Sequence, residues 1–166
     1  MKTFRLGIVA VIAFSFLGAW VLHSQPTITA AGFTAALRDH VRTEEFSPVA
    51  KVADLPPAVR EALAKLFGGG ALELAEPGAR FQATDVMVTP RLPARRLVSA
   101  GCSSDHCLVY YERGGFAHVH QIVLFSKTDA SASFVHGGVG AGGLNGLEQV
   151  RDALVADRVM AGSKYW

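Results

Sequence analysis

The most informative part of the sequence is residues 106–126, HCLVYYERGGFAHVHQIVLFS, in which two apolar and aromatic runs flank the pair Gly114-Gly115. Short runs of this composition are typical of β-strands. Two glycines between them favour a two-residue hairpin turn, because such turns need positive φ angles. We therefore predict strands over 107–113 and 116–126, joined by Gly114-Gly115.

A two-residue turn also fixes which side chains share a face of the hairpin, because side chains alternate along a strand. One face then carries Cys107, Val109, Tyr111, His118 and His120. The other face carries Leu108, Tyr110, Val119, Val123 and Phe125. We expect helices to cover this second, more apolar face and the histidine face to be open to solvent or a ligand.

The flanking sequence predicts helices on either side of a block of strands. Further strands are expected over 81–89, 94–101 and 132–136. Helices are expected over 30–43, from Pro57 until the glycines at 68–70, and over 145–160. This order favours an α+β fold, in which an antiparallel meander of about five strands has the helices from the N- and C-terminal segments packed on one face.

Composition points to one globular domain without a nucleic-acid partner. The chain has 166 residues, of which 50% are hydrophobic and 18% charged, which excludes a disordered protein. Its net charge of +2 falls to zero without Lys2 and Arg5, which precede an apolar run. A neutral domain lacks the excess of cations that binding to phosphates requires.

The apolar run at residues 6–22 predicts a signal peptide or an uncleaved transmembrane anchor within residues 1–23. If it is uncleaved, the membrane is a partner through this run. Either reading places the rest of the chain in the cell envelope on the periplasmic side, secreted or anchored in the inner membrane. We expect a linker and short helix over 24–55, and the small α+β domain over 56–166.

Two cysteines occur in the chain, Cys102 and Cys107. An even number of cysteines in an oxidising compartment favours a disulfide. A four-residue loop between strands sets the two opposite each other at a hairpin end. The alternatives are metal ligation and redox catalysis, although the spacing is longer than the Cys-x-x-Cys of redox proteins.

Histidines are the candidate metal ligands. His118 and His120 are two apart on a predicted strand and so project from one face, while His106 and His136 lie near the same sheet. Imidazole nitrogens are common ligands of zinc and copper, but such a site needs three or four converging groups. Ordinary solvated histidines and general acid–base roles are the alternatives.

The glycine-rich segment 137–146 contains Gly138, Gly140 and Gly143 in the pattern G-x-G-x-x-G. The context that would confirm a dinucleotide-binding fold is missing, because the remaining chain has no room for a second parallel strand. The segment is then a flexible loop, a place of close backbone approach, or an anion site made by the backbone N–H groups of these three glycines.

Three hypotheses of function follow. We expect a small envelope module that binds a protein or ligand without catalysis. The alternatives are a periplasmic metal-binding protein that uses His118 and His120, and an envelope hydrolase or redox enzyme with no assigned catalytic residue.

Overall fold

The computed structural model describes residues 33–86, 89, 91–161 and 166. Its helices are α1 (Ala35–Thr43), α2 (Pro57–Leu66) and α3 (Leu147–Val155). Its strands are β1 (Ser47–Val49), β2 (Arg95–Cys102), β3 (His106–Arg113), β4 (Val119–Lys127), β5 (Ala132–Gly140) and β6 (Met160–Ala161). The expected signal or anchor at 1–23 lies outside the described residues. Among the helices that are described, none has the length and apolar character to cross a membrane.

The strands form one antiparallel sheet whose order is the order of the chain. The α+β class and the antiparallel meander are thus confirmed, and β2 to β5 correspond to four of the predicted strands. The fifth expected strand, over 81–89, is wrong: residues 81–86 and 89 have no strand. The additional strands β1 and β6 are short edge strands.

Helix α2 shows how local sequence sets the elements that position the sheet. Pro57 starts the helix, since a proline at the first position loses no hydrogen bond there. Val59 and Leu63 are fully buried on one stripe, while Glu61 and Lys65 pair at 2.7 Å on the exposed side. Gly68 follows the helix with φ +108°, a conformation that few other residues adopt.

Helices cover both faces of the sheet, which corrects the prediction that they pack on one face. The α2 face is the side where α2 packs on Leu97, Val109, Tyr111, Val123 and Phe125. The α1/α3 face is the side where these two helices pack on Leu108, Tyr110, Ile122 and Leu124. Val41 of α1, from the segment expected to be linker and short helix, is fully buried in this second cluster.

The hairpin register differs from the predicted one. Arg113 pairs with Val119 and not with Phe116, so the connection runs from Gly114 to His118. The shift of three residues is odd and therefore exchanges the faces of β4: His120 lies on the α1/α3 face, and Val123 lies on the α2 face.

Gly114 has a role other than the tight turn. A Cβ on Gly114 would lie 1.9 Å from the backbone oxygen of Gln82, so this glycine permits close contact with the segment before β2. Of the two glycines, only Gly115 has a positive φ, of +119°. The pair thus does not form the tight turn that its sequence suggests.

The predicted disulfide between Cys102 and Cys107 is present, and the two residues are paired across the end of β2 and β3. Cys107 is fully buried on the α2 face. The bridge therefore closes the loop that leads into β3 and fixes where that strand begins.

Candidate metal centre

Glu112, His118 and His120 bring three ligand atoms together at one end of β3. Glu112 and His120 are directly opposite each other on β3 and β4, and His118 ends the connection before β4. The Oε1 atom of Glu112 lies 3.5 Å from Nε2 of His118 and 3.4 Å from Nε2 of His120. The three atoms all lie within 4.8 Å of one another. The structure thus brings the predicted pair His118 and His120 together and adds a carboxylate to it.

Glu112 is held in place by Arg96, its partner across β2 and β3. The Nε of Arg96 donates to Oε2 of Glu112 at 2.7 Å, and its Nη2 lies 2.5 Å from the same oxygen. Nη1 donates to the carbonyl of Ala79, and the guanidinium lies 4.5 Å from the ring centre of Phe81. Oε2 of Glu112 is therefore bonded to Arg96, and Oε1 faces the two imidazoles.

The ring of His120 is fixed by two neighbours. Its centre lies 5.5 Å from that of Tyr110, and the rings are inclined by only 24°. Tyr110 is itself anchored, because its hydroxyl donates to the carbonyl of Ala141 at 2.9 Å. A Cβ on Gly142 would lie 2.9 Å from the same imidazole, so glycine permits this close approach.

Electrostatics keep His120 in the form that binds metals. Burial lowers the pKa of His120, Glu112 opposes this shift, and the neighbouring His118 adds to it. A lowered pKa means that the imidazole is neutral at neutral pH, and only a neutral imidazole offers a lone pair to a metal. His118 is the accessible member of the three, with 44% of its side chain exposed.

A second cluster lies at the opposite end of β3 and contains the predicted residue His106. Glu44, just after α1, accepts from Nδ1 of His106 at 2.9 Å, and His40 of α1 lies 3.7 Å away from the same oxygen. Glu44 and His106 are each less than one-tenth exposed. The hydroxyl of Ser103 also donates to Glu44. The structure thus separates His106 from His118 and His120.

The remaining predicted ligand, His136, belongs to neither cluster. Its ring stacks on Phe33 at 4.7 Å with an angle of 5° between the planes. Its Nε2 lies 3.8 Å from Asp157, too far for a hydrogen bond. Burial lowers the pKa of His136, with Asp157 opposing and Arg38 adding to the shift.

The glycine-rich segment supports packing at the site. Gly138 and Gly140 are strand residues of β5, paired with Ile122 and His120, and Gly143 follows the strand with φ +74°. A Cβ on Gly140 would lie 2.8 Å from Ile122. A close approach is thus observed at Gly140, whereas nothing lies within 4 Å of a Cβ placed on Gly143, and the proposed anion site of these three glycines stays a prediction.

Sequence reasoning missed Glu112, Arg96, Glu44 and His40. The four-residue spacing between His40 in α1 and Glu44 just after it is a signal that could have linked them. Glu112 lies next to the histidines only in the observed register. The predicted two-residue turn places it on the opposite face from them. No family model, curated protein or solved structure matches the chain, and its chemistry is inferred from its own residues.

Proposed function

We propose that this chain is a metal-binding protein of the cell envelope, with Glu112, His118 and His120 as the ligands of one divalent transition metal. Zinc is the best match, because two histidines and one glutamate are a common ligand set of zinc sites that keep a position open. Copper is the second candidate, since imidazole suits it and it binds nitrogen ligands most tightly among the divalent metals of its row.

The observation that carries this proposal is the separation of the ligand atoms. In a tetrahedral site with metal–ligand bonds of about 2.1 Å, two ligand atoms lie about 3.4 Å apart. The two separations from Glu112 Oε1 are 3.4 and 3.5 Å. Both separations are therefore those expected between two ligand atoms of one tetrahedral metal.

The envelope location rests on two separate features. The disulfide between Cys102 and Cys107 favours an oxidising compartment. The basic residues Lys2 and Arg5 before an apolar run favour export with the domain on the periplasmic side. Activity of a periplasm-dependent reporter fused after Trp166 would support this location, whereas a reporter active only in the cytoplasm would contradict it.

The test of metal binding is elemental analysis of the purified full chain, followed by competitive titration with zinc and copper. We expect one metal per chain in the wild type. His118→Ala and His120→Ala each weaken the affinity by at least about 100-fold, because each removes one of three ligands.

His40→Ala is the matched control, because His40 is an exposed histidine of the other cluster. It should leave the stoichiometry and the affinity unchanged. A wild type that takes up neither metal above micromolar affinity would refute the proposal. Loss of binding in His40→Ala alone would move the site to the Glu44 cluster.

A further inference from the structure

The metal centre borders a surface groove of about 330 Å³ on the side of Arg96. Arg96 and Phe81 belong to both: Arg96 holds Glu112, and the ring of Phe81 lies 5.8 Å from that of His118. Arg80, Gln82 and Thr84 also line this groove. A ligand in the groove is therefore next to the most exposed imidazole of the centre.

The charges around the metal centre favour an anionic ligand. The centre holds one carboxylate, which already faces the guanidinium of Arg96. A divalent metal would therefore leave the site with excess positive charge. Arg80 in the groove is exposed and makes no hydrogen bond or ion pair with another described residue. An anion is the complement of this arrangement.

Coordination gives the anion a place to bind. Among the described residues, three side chains converge on the metal position, and tetrahedral zinc takes four ligands. We propose, on the basis of the function proposed above, that the open position takes an oxygen of a small carboxylate or phosphate group and that Arg80 binds a second oxygen of the same group. The groove is the subsite that holds the rest of the ligand.

The test uses the full chain loaded with Co²⁺, whose visible absorption reports on the ligands of the metal. Inorganic phosphate and azide are titrated separately, and the cobalt content of each sample is measured by elemental analysis. Azide needs only the open position, whereas phosphate also reaches Arg80. In the wild type we expect both anions to change the spectrum in a saturable way.

Arg80→Gln distinguishes the subsite from the metal alone. It should weaken phosphate binding by about 10-fold, which corresponds to the loss of one charge-assisted hydrogen bond, and change azide binding by less than about twofold. Arg42→Gln, an exposed arginine on α1, is the matched control and should change neither. Equal phosphate affinity in Arg80→Gln and wild type would overturn the role of the groove.

The remaining outcomes separate this inference from the proposed function. If cobalt binds but neither anion changes its spectrum, the proposal of an open coordination position is refuted, whereas the proposal of a metal centre is supported. If no cobalt binds, both proposals fall. Dihexanoyl phosphatidylglycerol, kept below its micelle concentration, is compared with inorganic phosphate, and the tighter binder tells whether the phosphate group is free or a lipid headgroup.

Discussion

The two ends of β3 carry the same kinds of side chain in opposite arrangements. At one end His106 is bonded to Glu44 at 2.9 Å, and both are buried. At the other end Glu112 stands 3.4 to 3.5 Å from two imidazoles, one of them well exposed. The two residues of β3, His106 and Glu112, lie on the same face about 20 Å apart.

The difference shows that residue type alone does not make a ligand site. In the Glu44 cluster the carboxylate accepts hydrogen bonds from His106 and Ser103. Its oxygens are therefore already bonded to other groups of the protein. In the Glu112 cluster Arg96 uses one oxygen and leaves the other facing the histidines. We expect the first cluster to govern stability and the second to govern metal binding.

The largest expected effect is on stability at the Glu44 end. Glu44→Gln should lower the free energy of unfolding by about 2–3 kcal/mol, since it removes the charge from buried hydrogen bonds. Metal affinity should remain unchanged. Chemical denaturation measures the first and zinc titration the second, with Asp39→Asn, an exposed carboxylate on α1, as the control. A loss of metal affinity in Glu44→Gln would show that the two ends are not independent.

Glu112→Gln is the reciprocal variant. It keeps the size of the side chain but removes the charged oxygen that faces His118 and His120, so zinc affinity should fall by at least about 100-fold. Zinc should stabilise the wild type against heat and not this variant, because binding to the folded state raises the melting temperature. Equal stabilisation of both proteins by zinc would exclude Glu112 as a ligand.

Removal of the disulfide should destabilise the Glu44 end of β3 while both carboxylates are kept. The double variant Cys102→Ser and Cys107→Ala should unfold about 2 kcal/mol more easily, the value expected for a loop this short. Zinc affinity should stay within about twofold of the wild type, because the bridge is at the far end of β3. Calorimetry with and without zinc measures both quantities. A large drop in zinc affinity would mean that the start of β3 positions Glu112.

The contact of Gly142 with His120 tests how closely the metal end is packed. Gly142→Ala places a methyl group against the imidazole, which must then turn or shift, and we expect zinc affinity to fall by about 10-fold. Stability should change little, since Gly142 is exposed. The control is Ala141→Gly, which alters the same loop without a clash. Unchanged affinity in Gly142→Ala would show that His120 is not the restrained ligand inferred from its packing.

The smallest expected effect concerns His136, which lies outside both clusters. Its pKa is lowered in the folded state by burial, so the unfolded chain binds the proton more readily. Its contribution to stability is therefore complete above its ordinary pKa of about 6.5 and is lost as the pH falls below that value. His136→Asn should flatten the decrease in stability between pH 7 and 5. An unchanged pH dependence would contradict this assignment.

Much of the fold is encoded in local patterns, and these were predicted correctly. Pro57 and the glycines at 68–70 bound α2, and the spacing of Cys102 and Cys107 gave the disulfide. The register of the hairpin differs from the local prediction, and Gly114 lies against the backbone of Gln82, from a distant part of the chain. The sequence around Gly114 contains no pattern that predicts this contact.

Only part of the candidate site could therefore be predicted from the sequence. His118 and His120 are visible as a pair in the sequence, but Glu112 becomes their neighbour only after the register shifts by three residues. The burial of Glu44 and His106 likewise requires α1 to cover its face of the sheet. Long-range packing, and not the composition of either stretch, determines which carboxylate meets which histidine.

The order of the strands has a consequence for how the protein folds. Among the described strands, each one pairs with its neighbours along the chain, so every such pairing can form once the next strand has been synthesised. The disulfide joins residues separated by 5 positions, and the chain has 2 cysteines, so no competing pairing within the chain is available. The bridge can therefore close before the sheet is complete, and oxidation need not wait for the tertiary structure.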